Sequence, residues 1–272
     1  MTYGHQNLHT HTTYCDGSQP PEAMILAALD KGCDSLGFSD HSYFPSDPNF
    51  STDPETAVEY AREINELKTK YEGTIEIFLG IEHDYYTPIH LEGLDFIIGT
   101  AHYVKIGGKY PTVDADAERQ RRLVDDHFGG DCYALAEAYF ETIAGIMKKT
   151  NADIIGHFDL VAKFNINGSL FDETHPRYVG AALGAMDEIL KDCRLFEVNT
   201  GMMYRFDKPE PYPSVFLLKE LYRRGGEVIL SSDSHVAGSL CHNFDEMREL
   251  LKTIGYKHMK RLTKTGFINV NL

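Results

Sequence analysis

Residues 75–82 read Ile-Glu-Ile-Phe-Leu-Gly-Ile-Glu, an almost unbroken apolar run of strand length that stops on a carboxylate. A parallel strand covered on both faces has this continuous rather than alternating pattern. The same arrangement recurs at residues 6–8, 35–38, 96–98, 154–155, 195–198 and 227–230, where short apolar runs end in polar residues and give way to helical spacing. One helix opens at Asp53-Pro54, with Asp to cap the free amides and Pro suited to the first turn. Another begins near Pro213, reads with Val215, Leu218, Leu221 and Tyr222 on one face, and stops at Gly225-Gly226. Strands alternating with helices predict an α/β protein with a parallel sheet. Strand order alone leaves an open sheet and a closed barrel equally possible.

The polar residues at the run ends separate the two. They are His9 and His11, Asp40-His41, Glu82, His102, His157, and Asp233 with His235. In a βα barrel the carboxyl ends of the strands converge on one face, whereas an open sheet spreads them along a line. A shared site therefore predicts a distorted seven-stranded (β/α)7 barrel, TIM-like in form. Residues two apart in an extended segment project to the same side, so His9 with His11, and Asp233 with His235, can each approach one ion. Imidazole and carboxylate without thiolate suit zinc, manganese or iron. Asp40 is expected to orient a ligand from behind. His5, His90, His127, His175, His242 and His258 read as ordinary core or surface histidines, and Cys15 as an inert thiol.

Composition narrows the function. The 272 residues carry a formal charge of −15, with 42% hydrophobic and 25% charged residues, as in a soluble globular protein. That acidic excess opposes binding to a nucleic acid or an anionic membrane. The longest apolar stretch, residues 23–29, is too short to span a bilayer. Residues 1–7 lack the basic start and apolar run of a secretory signal, so a cytoplasmic protein is expected. No linker or repeat divides the sequence, which predicts one domain over residues 1–272. Five cysteines with no Cys-x-x-Cys are expected to stay reduced.

The segments Leu8-His9-Thr10-His11-Thr12, Phe38-Ser39-Asp40-His41-Ser42, Gly80-Ile81-Glu82, Gly99-Thr100-Ala101-His102-Tyr103, Ile155-Gly156-His157-Phe158-Asp159 and Ser231-Ser232-Asp233-Ser234-His235 resemble, in order, the signature of the polymerase-and-histidinol-phosphatase (PHP) superfamily. Residues 197–201 (Glu-Val-Asn-Thr-Gly) followed by Arg205, and the segment from His102 through Gly107-Gly108 to Val113-Asp114, resemble its histidinol-phosphatase branch.

The resemblance implies a distorted barrel holding two or three divalent ions. Position by position, His9, His11, Glu82 and Asp233 would hold the first ion, and Glu82, His102 and His157 the second, with Glu82 bridging. Asp16, His41 and His235 would hold the third, and Asp16 stands where many relatives carry histidine. Arg205 and Lys163 would bind phosphate. The implied activity is metal-dependent hydrolysis of a phosphate monoester, L-histidinol phosphate first, within histidine biosynthesis. A metal-activated water would attack phosphorus. Three divalent ions among three ligand carboxylates leave a local formal charge of about +3, so an acidic protein can still attract a phosphate dianion. Asp84, Asp114 and Asp159 are candidates for the substrate's cationic groups, and no side chain is singled out as general acid. The connection from Tyr103 to Tyr133 is expected to form a loop over the mouth that tunes substrate choice. Two alternatives remain: a phosphoesterase acting on nucleotides or oligonucleotide ends, and a metal-binding regulatory module without turnover.

Overall fold

A computed structural model describes residues 3–48, 50–87, 92–206 and 209–272. His90 lies outside the described residues. In chain order the elements are β1 (His5–Asn7), α1 (Pro21–Asp30), β2 (Cys33–Phe38), α2 (Pro54–Lys70), β3 (Glu76–Asp84), β4 (Phe96–Thr100), α3 (Ala117–Phe128), α4 (Cys132–Ala144), α5 (Ile146–Thr150), β5 (Ile154–Ile155), α6 (Pro176–Ile189), β6 (Leu195–Asn199), α7 (Gly201–Phe206), α8 (Val215–Arg223), β7 (Glu227–Ser231), α9 (Phe244–Ile254), β8 (His258–Thr263) and β9 (Gly266–Asn271).

β1 to β7 pair in sequence order, and every pairing is parallel. The ends of this ribbon meet beyond β1 and β7. There Thr10 bridges Ser234, the His11 amide donates to the Ser234 carbonyl (2.9 Å), and the Ser234 amide to the His9 carbonyl (3.0 Å). The result is a nearly closed seven-stranded barrel. Its closure falls on the two segments that carry paired candidate ligands. Inside, the Phe96 ring lies against Gly80, where an added Cβ would sit 2.3 Å from a ring carbon. Only a residue without a side chain fits there.

Met24, Ile25, Tyr60 and Ile64 from α1 and α2 pack on Leu36, Phe38 and Leu79 of the sheet. A larger core joins α4, α6 and α8 to β4–β7 through Tyr139, Phe140, Tyr178, Phe196 and Leu218. The capping expected at Asp53 is present, its carboxylate accepting from the amides of Glu55 (3.0 Å) and Thr56 (3.1 Å).

The structure differs from the sequence expectations in four places. Among the described residues no helix separates β3 from β4, so the helix ring is incomplete there. The connection from Tyr103 to Tyr133 holds α3, which buries Gln120, Leu123 and Val124. α8 buries Leu217, Leu218 and Leu221, whereas Tyr222 is exposed, because the barrel lies under that narrower stripe. Finally, β8 and β9 form an antiparallel hairpin at the amino-terminal end of the barrel, where Gln6 exchanges hydrogen bonds with the Leu262 backbone (2.9 and 2.8 Å).

Candidate metal centre

Glu82 is in the second half of β3, inside the strand rather than beyond it, and is buried. Its Oε2 faces His41 Nδ1 at 2.9 Å, His9 Nε2 at 3.2 Å and His11 Nε2 at 3.4 Å. Its Oε1 faces His157 Nε2 at 2.8 Å and His102 Nε2 at 3.4 Å. Five imidazoles from four other strand ends thus meet on one carboxylate. Asp233 Oδ1 adds contacts to His11 Nε2 (3.3 Å) and His235 Nδ1 (3.4 Å). Asp16 reaches His235 Nε2 (3.1 Å) and His41 Nε2 (3.6 Å). All nine candidate ligands therefore gather at the carboxyl end of the barrel, and none is displaced from it.

The grouping is less partitioned than expected. His9, His11 and Asp233 form one set, and His11, Asp16, His41 and His235 another, while His41 also belongs with Glu82 and His102. His41 and His11 stand between neighbouring sets.

The donor set fits divalent transition ions on an observation independent of sequence. Among the described residues, nothing offers a hydrogen bond of acceptable geometry to the buried His9 Nε2, His11 Nε2 or Glu82 Oε2, although Glu82 Oε2 lies 3.2 Å from the first nitrogen and 3.4 Å from the second. Buried polar atoms left without partners are costly unless they face an ion. The ring charges follow from the packing of imidazoles among buried carboxylates, which raise His9 and His41 but not His11. Burial, reinforced by the charges of His235 and His41, pushes His11 down to about 3, so its ring is neutral and its nitrogen lone pair available at neutral pH. Against burial, Glu82 and Asp16 raise His41 to about 10.

A second layer orients these rings. Glu197, buried in β6, accepts from His9 Nδ1 (2.8 Å), the His157 amide (2.6 Å), Ser231 Oγ (2.7 Å) and Asn199 Nδ2 (2.8 Å). A proton held on Nδ1 leaves Nε2 of His9 free to face the centre. Although burial would raise its pKa, His9 holds the Glu197 carboxyl below the usual range. Glu197 was not among the expected site residues. The available signal was a lone carboxylate inside an apolar strand, which must be paired if it is buried. Glu197→Gln is expected to weaken metal binding about 10- to 100-fold, as measured by competition with a chromogenic chelator. Unchanged affinity would reduce Glu197 to a packing role.

The contacts refine two expectations. Asp84 lines the cavity, and its Oδ2 accepts from the His102 amide (2.8 Å) and faces His102 Nδ1 (3.3 Å), so it positions that ring. Asp40 acts on the chain rather than on an imidazole ring, taking the Thr12 amide (2.6 Å), the Thr12 hydroxyl (2.5 Å) and the Cys15 thiol (2.9 Å). It thereby shapes the turn that presents Asp16.

A cavity of about 630 Å³ opens over the cluster, lined by Phe44, Asp47, Asp114, Lys163, Arg205 and Tyr212 among others. Arg205 projects from α7 and donates to Asp233 Oδ2 (2.8 Å). Lys163 pairs with Asp114 Oδ2 (3.2 Å), and the Thr112 hydroxyl holds the other Asp114 oxygen. Asp159 is buried, accepts the Ser214 amide (3.0 Å), and is not part of the lining.

Known proteins resemble this chain over nearly its full length. A Deinococcus radiodurans protein named probable histidinol-phosphatase is 29% identical over 93% of this chain and 96% of its own length. The crystal structure of a candidate histidinol phosphatase from Listeria monocytogenes covers 89% of this chain and 99% of that one at 20% identity, with a TM-score of 0.77. A Lactococcus lactis histidinol phosphate phosphatase, crystallised with zinc, L-histidinol and phosphate, covers 98% of this chain and 100% of that one at 21% identity, with a TM-score of 0.66. Both structures share the barrel described above. The PHP domain family model matches residues 7–201, from the end of β1 through β6, a span that holds seven of the nine candidate ligands. The chain belongs to the PHP domain family.

Proposed function

We propose that this protein is a metal-dependent phosphatase that hydrolyses L-histidinol phosphate to L-histidinol and phosphate in the cytoplasm, as a step of histidine biosynthesis, with residues 1–272 acting as one domain. The convergence of nine histidine and carboxylate side chains on one bowl, centred on Glu82, is the observation that carries this reading. Full-length relatives bearing the histidinol-phosphatase name support the choice of substrate.

His9, His11, Asp16, His41, Glu82, His102, His157, Asp233 and His235 would hold two or three ions of zinc, manganese or iron. Such ions supply Lewis acidity and bring the ionisation of water to about pH 7. The chain supplies the rest. Glu197 and Asp84 fix the faces that His9 and His102 present. Arg205 and Lys163 offer N–H donors to phosphate oxygens from the cavity wall.

Asp114 would accept the substrate's ammonium group, because it lines the cavity beside Lys163, whereas Asp84 positions His102 and Asp159 is not part of the lining. In the free protein the charges of Lys163 and Asp114 are matched by each other. A substrate carrying both a phosphate and an amine gives each a new partner, which favours aminoalkyl phosphates over simple ones.

Phosphate release should be measured for histidinol phosphate, an analogue without the amine, nucleotide and sugar monophosphates, with chelator-stripped protein as control. Histidinol phosphate is expected to give the highest kcat/KM, and Asp114→Asn to reduce its advantage over the des-amino analogue about tenfold, roughly 1.4 kcal/mol. Taking the ratio cancels any gain from releasing Lys163. Preference for a nucleotide would replace the proposed substrate, and no metal-dependent release from any ester would point to a module without turnover. An unchanged ratio in Asp114→Asn would remove Asp114 alone.

A further inference from the structure

Away from the metal centre, the fold brings together two thiols that sequence gave no reason to pair. Cys33 opens β2 and Cys241 follows β7, and their Sγ atoms lie 3.1 Å apart across 208 residues of sequence. A disulfide needs about 2.05 Å, so the sulfurs must close by only about 1 Å. The segments are already tied together beside them: Lys31 Nζ donates to the carbonyls of Gly238 (2.8 Å) and Leu240 (3.0 Å). Cys241 has φ of 56°, in the left-handed region that a side chain disfavours, and its amide donates to Ser232 Oγ (3.0 Å). The other three cysteines make different contacts. Cys15 is held among His11, Asp16 and Asp40, Cys132 approaches the Gly130 carbonyl, and Cys193 the Asp153 carbonyl.

We propose that Cys33 and Cys241 are a thiol–disulfide site: a small-molecule disulfide such as oxidised glutathione converts them to an intramolecular disulfide that staples the segment presenting Asp233 and His235 to the start of β2. Cys241, the more accessible of the two, gives its proton to Cys33 beside it as it attacks one sulfur of the reagent; the small thiolate released takes that proton on and leaves as a thiol. The Cys33 thiolate then attacks the Cys241 sulfur, closing the new bond and expelling the second. Two protein thiols and one small disulfide become one protein disulfide and two small thiols, with no other oxidant required. The Cys241 thiol, by hydrogen bonding to Cys33, holds Cys33 below the ordinary thiol range against burial, and Lys31 adds to the pull. Lys31 stays beside Cys33 after Cys241 has reacted, which keeps Cys33 suited to the second attack.

The link reaches the metal centre through short contacts. Ser232 Oγ, which receives the Cys241 amide, also bonds Ser234 Oγ (2.8 Å), and Asp233 lies between these serines. Fixing Cys241 therefore restrains the backbone on both sides of a candidate ligand. This site does not depend on which ester the protein hydrolyses.

The test uses the full-length, metal-loaded protein equilibrated with oxidised glutathione. Titratable thiols are expected to fall from five to about three, and non-reducing peptide mapping should recover the peptides of Cys33 and Cys241 joined. The melting temperature should rise by about 5 °C, and metal loss to a chelator should slow at least threefold, both effects reversing with dithiothreitol. Cys241→Ser should hold at about four thiols and show neither change. Should that variant fail to fold, the wild-type peptide map decides alone. A count that stays at five, thiol loss without the joined peptide, or a joined peptide with melting and metal release both unchanged would overturn the proposal.

Discussion

Glu82→Gln is expected to strip the centre of most of its metal and to lower kcat/KM for histidinol phosphate at least a thousandfold, about 4 kcal/mol in transition-state stabilisation. Gln has nearly the same shape, so the packing of β3 between β2 and β4 should survive, and melting should move little. Charge and hydrogen-bond character change instead. Glu82 offers its two oxygens to five imidazoles, three on Oε2 and two on Oε1. An amide would turn an NH2 donor toward one of those sets and remove the negative charge that a bridging ligand gives two cations at once. Loss at one peripheral ligand should be milder, because its neighbours still define the site. Elemental analysis after gel filtration, together with kcat/KM at saturating added metal, checks this. A variant that keeps two or more ions per chain and more than a tenth of wild-type turnover would show that Glu82 is not the bridge, and the expected grouping of ligands would have to be redrawn.

What the sequence revealed, and what it hid, follows from how each residue is stabilised. Strands covered on both faces must be apolar along their length, so β2, β3, β4, β6 and β7 stand out as runs. Polar residues at their carboxyl ends stand out by contrast. The hairpin of β8 and β9 did not, because Arg261 occupies an inward position, buried and paired with Asp34 and the Gly4 carbonyl, and so breaks the alternation that marks a strand. α3 was hidden for a related reason: residues 116–126 are mostly charged, and only Leu123, Val124 and Gln120 face the core, the Gln120 amide donating to the carbonyls of Val113 (3.1 Å) and Val161 (2.8 Å). Glu197 and Asp84 look alike in sequence, as carboxylates in or at the end of strands. Only the fold shows that each holds a histidine. The proximity of Cys33 to Cys241 depends on the path of the chain after β7, which no local pattern encodes.

Arg205→Ala is expected to lower kcat/KM about 10²- to 10³-fold, roughly 2.7–4 kcal/mol, the usual cost of removing one charged donor that meets the reacting group. The structure gives this residue two possible jobs. Its Nη2 donates to Asp233 Oδ2 at 2.8 Å, so it could serve only to balance a buried carboxylate. Yet Asp233 directs its other oxygen toward His9 and His11, and the Arg205 side chain keeps 30% of its surface open toward the cavity. Gly201 leaves the room for it, since an added Cβ there would lie 3.0 Å from Arg205 Nη2. A phosphate entering the bowl can therefore meet the guanidinium without displacing it from Asp233. The two jobs predict different patterns. If Arg205 binds phosphate, the Ala variant keeps its metal, and the inhibition constant for inorganic phosphate rises in step with the loss of turnover. Arg205→Lys keeps the charge but not the planar fork, and should recover about tenfold of the loss. If Arg205 only neutralises Asp233, metal affinity falls instead, and activity returns when excess metal is added. Wild-type metal content with phosphate inhibition and turnover both within threefold of the parent would exclude either role.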